Sequence, residues 1–360
     1  MSRSRNAAPD ELFAAARSGD RVALARLLSL VERGGAQART VAGIAYRSGS
    51  EAYTVGITGA PGAGKSTLTD RLIAEARAHP WAPEAAEAAG AAQGAEAAGT
   101  DVSPDAAASV AVLAVDPSSP FTGGAILGDR VRMQSHALDE GVFIRSMATR
   151  GHLGGLTLAV PDAVRVLAAA GLPLVLVETV GVGQVEVEVA SATDTTVVVV
   201  NPGWGDGIQA NKAGLLEIAD LFVINKSDRP GARETRRDLE LMLDLTSLGD
   251  WRPPIVDTVA STGAGVSELW EAIGAHRDHL RSKGLLAALR RERLEREFDR
   301  ILAARVADRV GELQRRDGYA QIAAKLASHD IDPYEAADSL LAGLEPDDPP
   351  PAGGGAGDEG

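Results

Sequence analysis

Residues Gly59-Ala60-Pro61-Gly62-Ala63-Gly64-Lys65-Ser66 carry the spacing G-x-x-x-x-G-K-[ST], with Thr67 directly after. That pattern is suited to one task, holding the phosphates of a nucleotide. Glycines let backbone N–H groups approach phosphate oxygens, and the N-terminus of a following helix adds partial positive charge. Lys65 is placed to reach the β- and γ-phosphates, and Ser66 to ligate Mg²⁺. A plain glycine turn is the alternative, and the strand-to-helix context argues against it.

The base is read elsewhere. Asn225-Lys226-Ser227-Asp228 directly ends an apolar strand. Asp228 can accept both N–H donors on the Watson–Crick edge of guanine, whereas adenine would set an acceptor against the carboxylate. A site built on such hydrogen bonds discriminates by roughly 10⁴ or more. Ser261-Thr262-Gly263 follows the next strand, where a loop can close over the guanine carbonyl. Glu178 ends another apolar strand and Gly181 follows it; an acid there can orient Mg²⁺ or its water while the glycine amide meets the γ-phosphate. Asp116 and Asp129 fall where a nucleotide-sensing loop should run, and either can act near Mg²⁺ or the attacking water or simply cap a turn. Gln184, three residues beyond Gly181, is not assigned as the water-positioning residue.

These residues need a frame. Apolar runs at Tyr53–Thr58, Val110–Val115, Val142–Ile144, Leu174–Val177, Thr195–Val200, Leu221–Ile224 and Ile255–Val259 read as strands. Most are near-continuous and not alternating, as in a parallel sheet covered by helices on both faces. Helical stretches separate them, which predicts an α/β doubly wound sheet. Residues 1–47 read as an N-terminal helical segment, with a helical hairpin over Asp10–Ala42 broken at Ser18-Gly19-Asp20. Residues 48–275 form the nucleotide-binding domain, and a helix is predicted from about Lys65 to Ala78. Residues 79–108, rich in alanine, glycine and glutamate, read as a low-complexity insertion with no chemistry. Residues 276–344 form a helical arm led by a long helix over Leu285–Leu313, and 345–360 a disordered tail. The stripe Leu285, Leu286, Leu289, Leu294, Phe298, Ile301 and Leu302 on that helix calls for a partner surface, so a homodimer is expected, with packing within one chain as the alternative.

Composition narrows the field. A net charge of −14 argues against a nucleic-acid surface, and the arginines of Arg290–Arg293 read as a solvated helix face. The chain has no cysteine, which removes thiolate metal sites and fits a reducing cytoplasm. No apolar run reaches the roughly 18 residues of a membrane helix, and the first residues lack a signal-peptide core. His276 and His279 read as solvated surface residues.

Taken together, GAPGAGKST, VDPSSPFTGGAILGDRVRM, TRGHLGG, VETVGVGQVE, GDGIQANKAGLLEIAD and NKSD resemble the methylmalonyl-CoA mutase-associated GTPase family, the MeaB/ArgK type. The resemblance implies a weak, partner-accelerated GTPase that binds GTP and GDP with Mg²⁺. It implies a homodimer that chaperones an adenosylcobalamin-dependent acyl-CoA mutase, gating cofactor delivery and protecting the mutase. Lys65 and Ser66 then contact phosphate and Mg²⁺, Asp116, Asp129 and Glu178 serve as active-site acids, and Asn225 and Asp228 read the base. Asp206 and Lys212 fall in the family's third switch, which relays partner contact. Cobalamin itself is not expected to bind through histidine, because no histidine has an aspartate two residues before it. Two competing readings are a P-loop ATPase or kinase linked to transport, and a metal-delivery chaperone GTPase. Asp228 argues against the first, and the lack of histidine-rich tracts against the second.

Overall fold

The computed structural model describes residues 7–81, 108–117, 133–136, 138–149, 155–179, 191–203, 217–246, 249–314 and 317–341. Helices α1 (Pro9–Arg17), α2 (Arg21–Arg33) and α3 (Gly35–Arg47) come first. Then follow β1 (Tyr53–Gly59), α4 (Lys65–Ala78), β2 (Val110–Pro117), β3 (Val142–Thr149), α5 (Gly155–Ala169), β4 (Leu174–Thr179) and β5 (Thr195–Val200). They are succeeded by β6 (Leu221–Asn225), α6 (Ala232–Leu245), β7 (Ile255–Thr258), α7 (Val266–Ser282), α8 (Leu285–Gln314), α9 (Asp317–Ala327) and α10 (Pro333–Leu341). The seven strands pair in parallel throughout, in the order β3-β2-β4-β1-β5-β6-β7. This is the doubly wound α/β fold.

The continuous apolar runs are explained by burial on both faces. Side chains alternate along a strand. Val197 and Val199 of β5 therefore join Ile57, Leu68, Leu72 and Ile273 under α4 and α7. Their neighbours Val198 and Val200 pack with Phe222, Leu239 and Leu243 under α6. On that same side, Leu113, Val115, Val175 and Val177 meet α5 and the N-terminal helices through Leu24, Leu27, Leu28 and Val41.

The N-terminal segment differs from the expected hairpin, since it is three helices and not two. The third, α3, buries only Ala38, Val41 and Ala45, a face of small residues that gives a weak periodic signal. Asp20 sets the start of α2 by accepting from Val22 N–H at 2.8 Å and Ala23 N–H at 3.1 Å. Strand β3 also runs beyond the predicted Val142–Ile144. Its polar Arg145 reaches back to α2, with Ser29 Oγ and Glu32 Oε2 each 2.9 Å away, so a charged residue is accommodated inside a strand.

Helix α4 is held along its length by the β2–β3 connection. Ser135 donates to the Asp70 carboxylate, and His136 Nε2 lies 2.9 Å from the Asp70 carbonyl oxygen. Two turns later Arg77 forks onto Asp139 through Nε at 3.0 Å and Nη2 at 2.9 Å. The same guanidinium donates to the Ala108 carbonyl at 3.1 Å, which ties the start of β2 to the end of α4. The chain divides into two compact units, Met1–Leu294 and Glu295–Gly360. In the second, α9 and α10 contact one another, and Asp332 caps α10 by accepting from Tyr334 N–H at 2.7 Å.

Candidate nucleotide-binding site

In a parallel sheet all strands end on one edge, and ligands gather there. β1 lies at the centre, flanked by β4 and β5. Its C-terminus leads into the glycine-rich loop, and the helix that follows starts at Lys65 itself. Gly59 and Gly64 have φ of +131° and +94°. A Cβ at Gly59 would collide with the Val199 carbonyl, and one at Gly64 with the Asn225 amide. The loop thus needs glycine for both conformation and space. Lys65 is buried, and its Nζ donates to the carbonyls of Gly59 at 2.7 Å and Ala60 at 3.1 Å, curled over the loop where phosphates would lie.

Ser66 and Glu178 come from elements 112 residues apart in sequence, and the fold brings them together. Ser66 Oγ donates to Glu178 Oε1 at 2.6 Å, and both side chains are buried. Two hard oxygen donors at the N-terminus of the phosphate-loop helix suit Mg²⁺, which takes one or two protein groups and completes its shell with phosphate and water. Asp116 belongs to β2 directly beyond Val115, which pairs with Thr179, so its backbone ends one strand away from that of Glu178. Asp129, Gly181, Asp206 and Lys212 lie outside the described residues.

The base-side elements are fastened to the phosphate loop. Asn225 closes β6 and is buried; its Nδ2 donates to the Ala63 carbonyl at 2.7 Å. Its Oδ1 accepts from Ala260 N–H at 3.0 Å and Thr258 Oγ1 at 3.2 Å, so one carboxamide ties the end of β6 to both the phosphate loop and the end of β7. Lys226 has φ +59°, uncommon outside glycine, and its Nζ donates to the Gly62 carbonyl at 2.7 Å. Ser227 donates from both N–H and Oγ to the Thr258 carbonyl at 3.1 Å. Asp228 is exposed at the mouth of this arrangement. The Ser261-Thr262-Gly263 turn follows, with Thr262 N–H and Gly263 N–H both bonded to the Val259 carbonyl at 3.0 Å. Sequence reasoning missed one contributor: Arg71 of α4 donates to the carbonyls of Ala260 at 3.2 Å and Ser261 at 3.1 Å. An arginine six residues after Lys65 carries no signal in sequence.

Two readings of the opposite sheet edge are corrected. His276 is buried and not a surface residue. Its Nδ1 lies 2.9 Å from Thr195 Oγ1, which is 2.6 Å from the Tyr53 hydroxyl, and burial drives its pKa down to about 4. It is a neutral member of a polar chain beneath β1 and β5. Arg290 and Arg293 are likewise no solvated face. Arg290 Nη2 and Arg293 Nη1 approach Asp194 at 2.9 and 2.8 Å, and Arg290 also pairs with Glu51. Burial opposes ionisation of Asp194, but the two guanidiniums and Thr54 N–H outweigh it and hold its carboxyl below the ordinary range. Solvation was the right reading for Arg291 alone, which is exposed.

Over residues 24–80 and 89–315 the sequence matches the family described as methylmalonyl Co-A mutase-associated GTPase MeaB. The chain belongs to the MeaB family. A protein of Pyrococcus abyssi named as a GTPase is 48% identical over 92% of this chain and 95% of its own length. The fused isobutyryl-CoA mutase of Cupriavidus metallidurans is 37% identical over 62% of this chain and 18% of its own. A crystal structure titled LAO/AO transport system kinase is 25% identical, covers 95% of this chain and 99% of its own, and has a TM-score of 0.65.

As a MeaB-family member the chain is a P-loop GTPase, converting GTP and water to GDP and phosphate. The geometry accords with that chemistry: a buried cation, a hydroxyl and a carboxylate converge at one helix N-terminus, and the base loops are bonded to the same place. Among the described residues no helix is long and apolar enough to cross a membrane.

Proposed function

We propose that this chain is a Mg²⁺-dependent GTP switch that chaperones an adenosylcobalamin-dependent acyl-CoA mutase, gating cofactor loading and protecting the mutase, as a cytoplasmic homodimer. The observation that carries the reading is the relative in which similar sequence occurs in one polypeptide with isobutyryl-CoA mutase. Fusion raises the effective concentration of two modules that work on each other.

In this reading Lys65 leaves the Gly59 and Ala60 carbonyls to meet the β- and γ-phosphates. Ser66 and Glu178 hold Mg²⁺, with Asp116 and Asp129 beside it. The ion, when bound, neutralises charge on the β- and γ-oxygens. Gly181 presents its amide to the γ-phosphate, Asp228 reads the base, and Asp206 and Lys212 relay the partner's presence. Residues 1–47, 48–275 and 276–344 serve as helical segment, GTPase domain and dimerisation arm. The arm is supported by exposed residues of the α8 stripe, Phe298 and Leu302 among them, whereas Leu286 of that stripe is buried in the core under α4 and α7.

A mutase that binds the GTP and GDP states unequally must alter the nucleotide cycle in return. Phosphate release is measured with and without the cognate mutase. Acceleration of at least about tenfold is expected, equivalent to ~1.4 kcal/mol of transition-state stabilisation. Lys212→Ala should diminish the acceleration. No acceleration of the wild type would remove the chaperone role and leave the GTPase.

A further inference from the structure

Arg71 stands on α4 one turn beyond the phosphate-binding residues, yet its side chain serves the base side of the site. Its Nε and Nη2 donate to two successive carbonyls, Ala260 at 3.2 Å and Ser261 at 3.1 Å. A guanidinium is a planar fork whose donors are fixed relative to one another, so it sets the orientation of both peptide planes. In a trans peptide the N–H points opposite the C=O. With the Ala260 carbonyl turned to Arg71, the Ser261 N–H is turned away from it.

The rest of the turn is already committed. Ala260 N–H donates to Asn225 Oδ1, and Thr262 and Gly263 N–H donate to the Val259 carbonyl. Ala260 is buried in the core beneath α4, so the turn is anchored at that end and exposed at Ser261 and Thr262. Arg71 is thus the side chain that joins the exposed part of the turn to the helix carrying Lys65 and Ser66.

We propose that Arg71 is a positioning residue for base selectivity, holding the Ala260–Ser261 peptide so that the turn offers a backbone donor to the carbonyl at position 6 of guanine. It touches neither base nor phosphate. This inference rests on the guanine-reading role given above to Asp228 and the turn. Its ligand class is the purine nucleotides that carry a carbonyl at that position, which includes hypoxanthine and excludes adenine.

The test uses the full chain and three diphosphates, GDP, IDP and ADP, titrated against wild type, Arg71→Ala and Arg71→Lys. GDP and IDP share the carbonyl, and IDP lacks the exocyclic amine that Asp228 would bind. Arg71→Ala should weaken GDP and IDP alike by about tenfold, the order of one hydrogen bond, and leave ADP within about twofold. Arg71→Lys should restore only part of this, because an ammonium cannot hold two carbonyls in a fixed fork. A general loss of folding would weaken all three nucleotides together, and thermal unfolding of each variant separates that case. Equal weakening of ADP in a folded variant, or no weakening of GDP and IDP, would overturn the role of Arg71. A wild type that binds ADP as tightly as GDP would instead overturn the guanine reading itself.

Discussion

Replacing Asp194 by asparagine keeps the volume and removes the charge from the most buried ion cluster described here. The carboxylate accepts from Arg290 Nε at 3.3 Å and Nη2 at 2.9 Å, from Arg293 Nη1 at 2.8 Å and from Thr54 N–H at 3.1 Å. An amide offers one acceptor oxygen and turns an N–H₂ donor toward a guanidinium. Breaking a buried pair by removing one partner costs about 3–5 kcal/mol. The arginine side chains keep 19% and 17% exposure, so water recovers part of the loss and about 3 kcal/mol is expected. With a urea slope of about 3 kcal/mol per molar, the midpoint should fall by about 1 M. Tryptophan fluorescence is the assay, since all four tryptophans precede Leu294 and report the first compact unit. The sign with pH is fixed by the depressed pKa of Asp194. Its contribution is fully present above the ordinary carboxylate pKa, near about 4, and is lost as pH falls through the lower folded-state value. The gap between wild type and variant should therefore close in acid, with smaller pH-dependent contributions from His276 and Asp220, both of which feel the Asp194 charge. An unchanged midpoint at pH 7, or a gap that persists undiminished in strong acid, would refute the reasoning.

Lys65→Ala should abolish turnover and strongly weaken GTP binding, because it removes the buried cation over the phosphate loop; near-normal phosphate release would contradict its role. Asp228→Asn should shift preference from GTP toward xanthosine triphosphate, since the amide trades an acceptor for a donor, and unchanged GTP affinity would show that another group reads the base. Phe298→Asp places a charge in the exposed stripe of α8 and should halve the mass seen by light scattering at micromolar concentration. A wild type that is already monomeric there would end the dimer proposal.

The parts of the site legible in the sequence are those whose chemistry is local. Gly59 to Ser66 form one turn, and Asn225 to Asp228 another, so each announces itself through spacing alone. The strands were legible because valine and isoleucine cover both faces of the sheet. What escaped depends on partners far along the chain. Arg290 and Arg293 look like a solvated pair until Asp194, nearly 100 residues earlier, is brought beneath them. His276 looks exposed until Thr195 and Tyr53 are set beside it. Helix α3 escaped because alanines supply most of its buried face, and β3 was cut short because Arg145 finds its counter-charge on α2.

The tie between Arg77 and the Ala108 carbonyl also concerns protein engineering. Helix α4 runs back from the phosphate loop, so Trp81 and Ala108 lie at the sheet edge remote from the nucleotide, where both line one pocket. The two ends of residues 82–107 are thus fastened to each other by the folded body, whatever joins them. Closing a longer loop between fixed ends adds only about 0.6 kcal/mol for each doubling of length. The position is therefore a natural socket: a fluorescent reporter or affinity tag grafted between Trp81 and Ala108 should travel with the GTPase without entering its reaction.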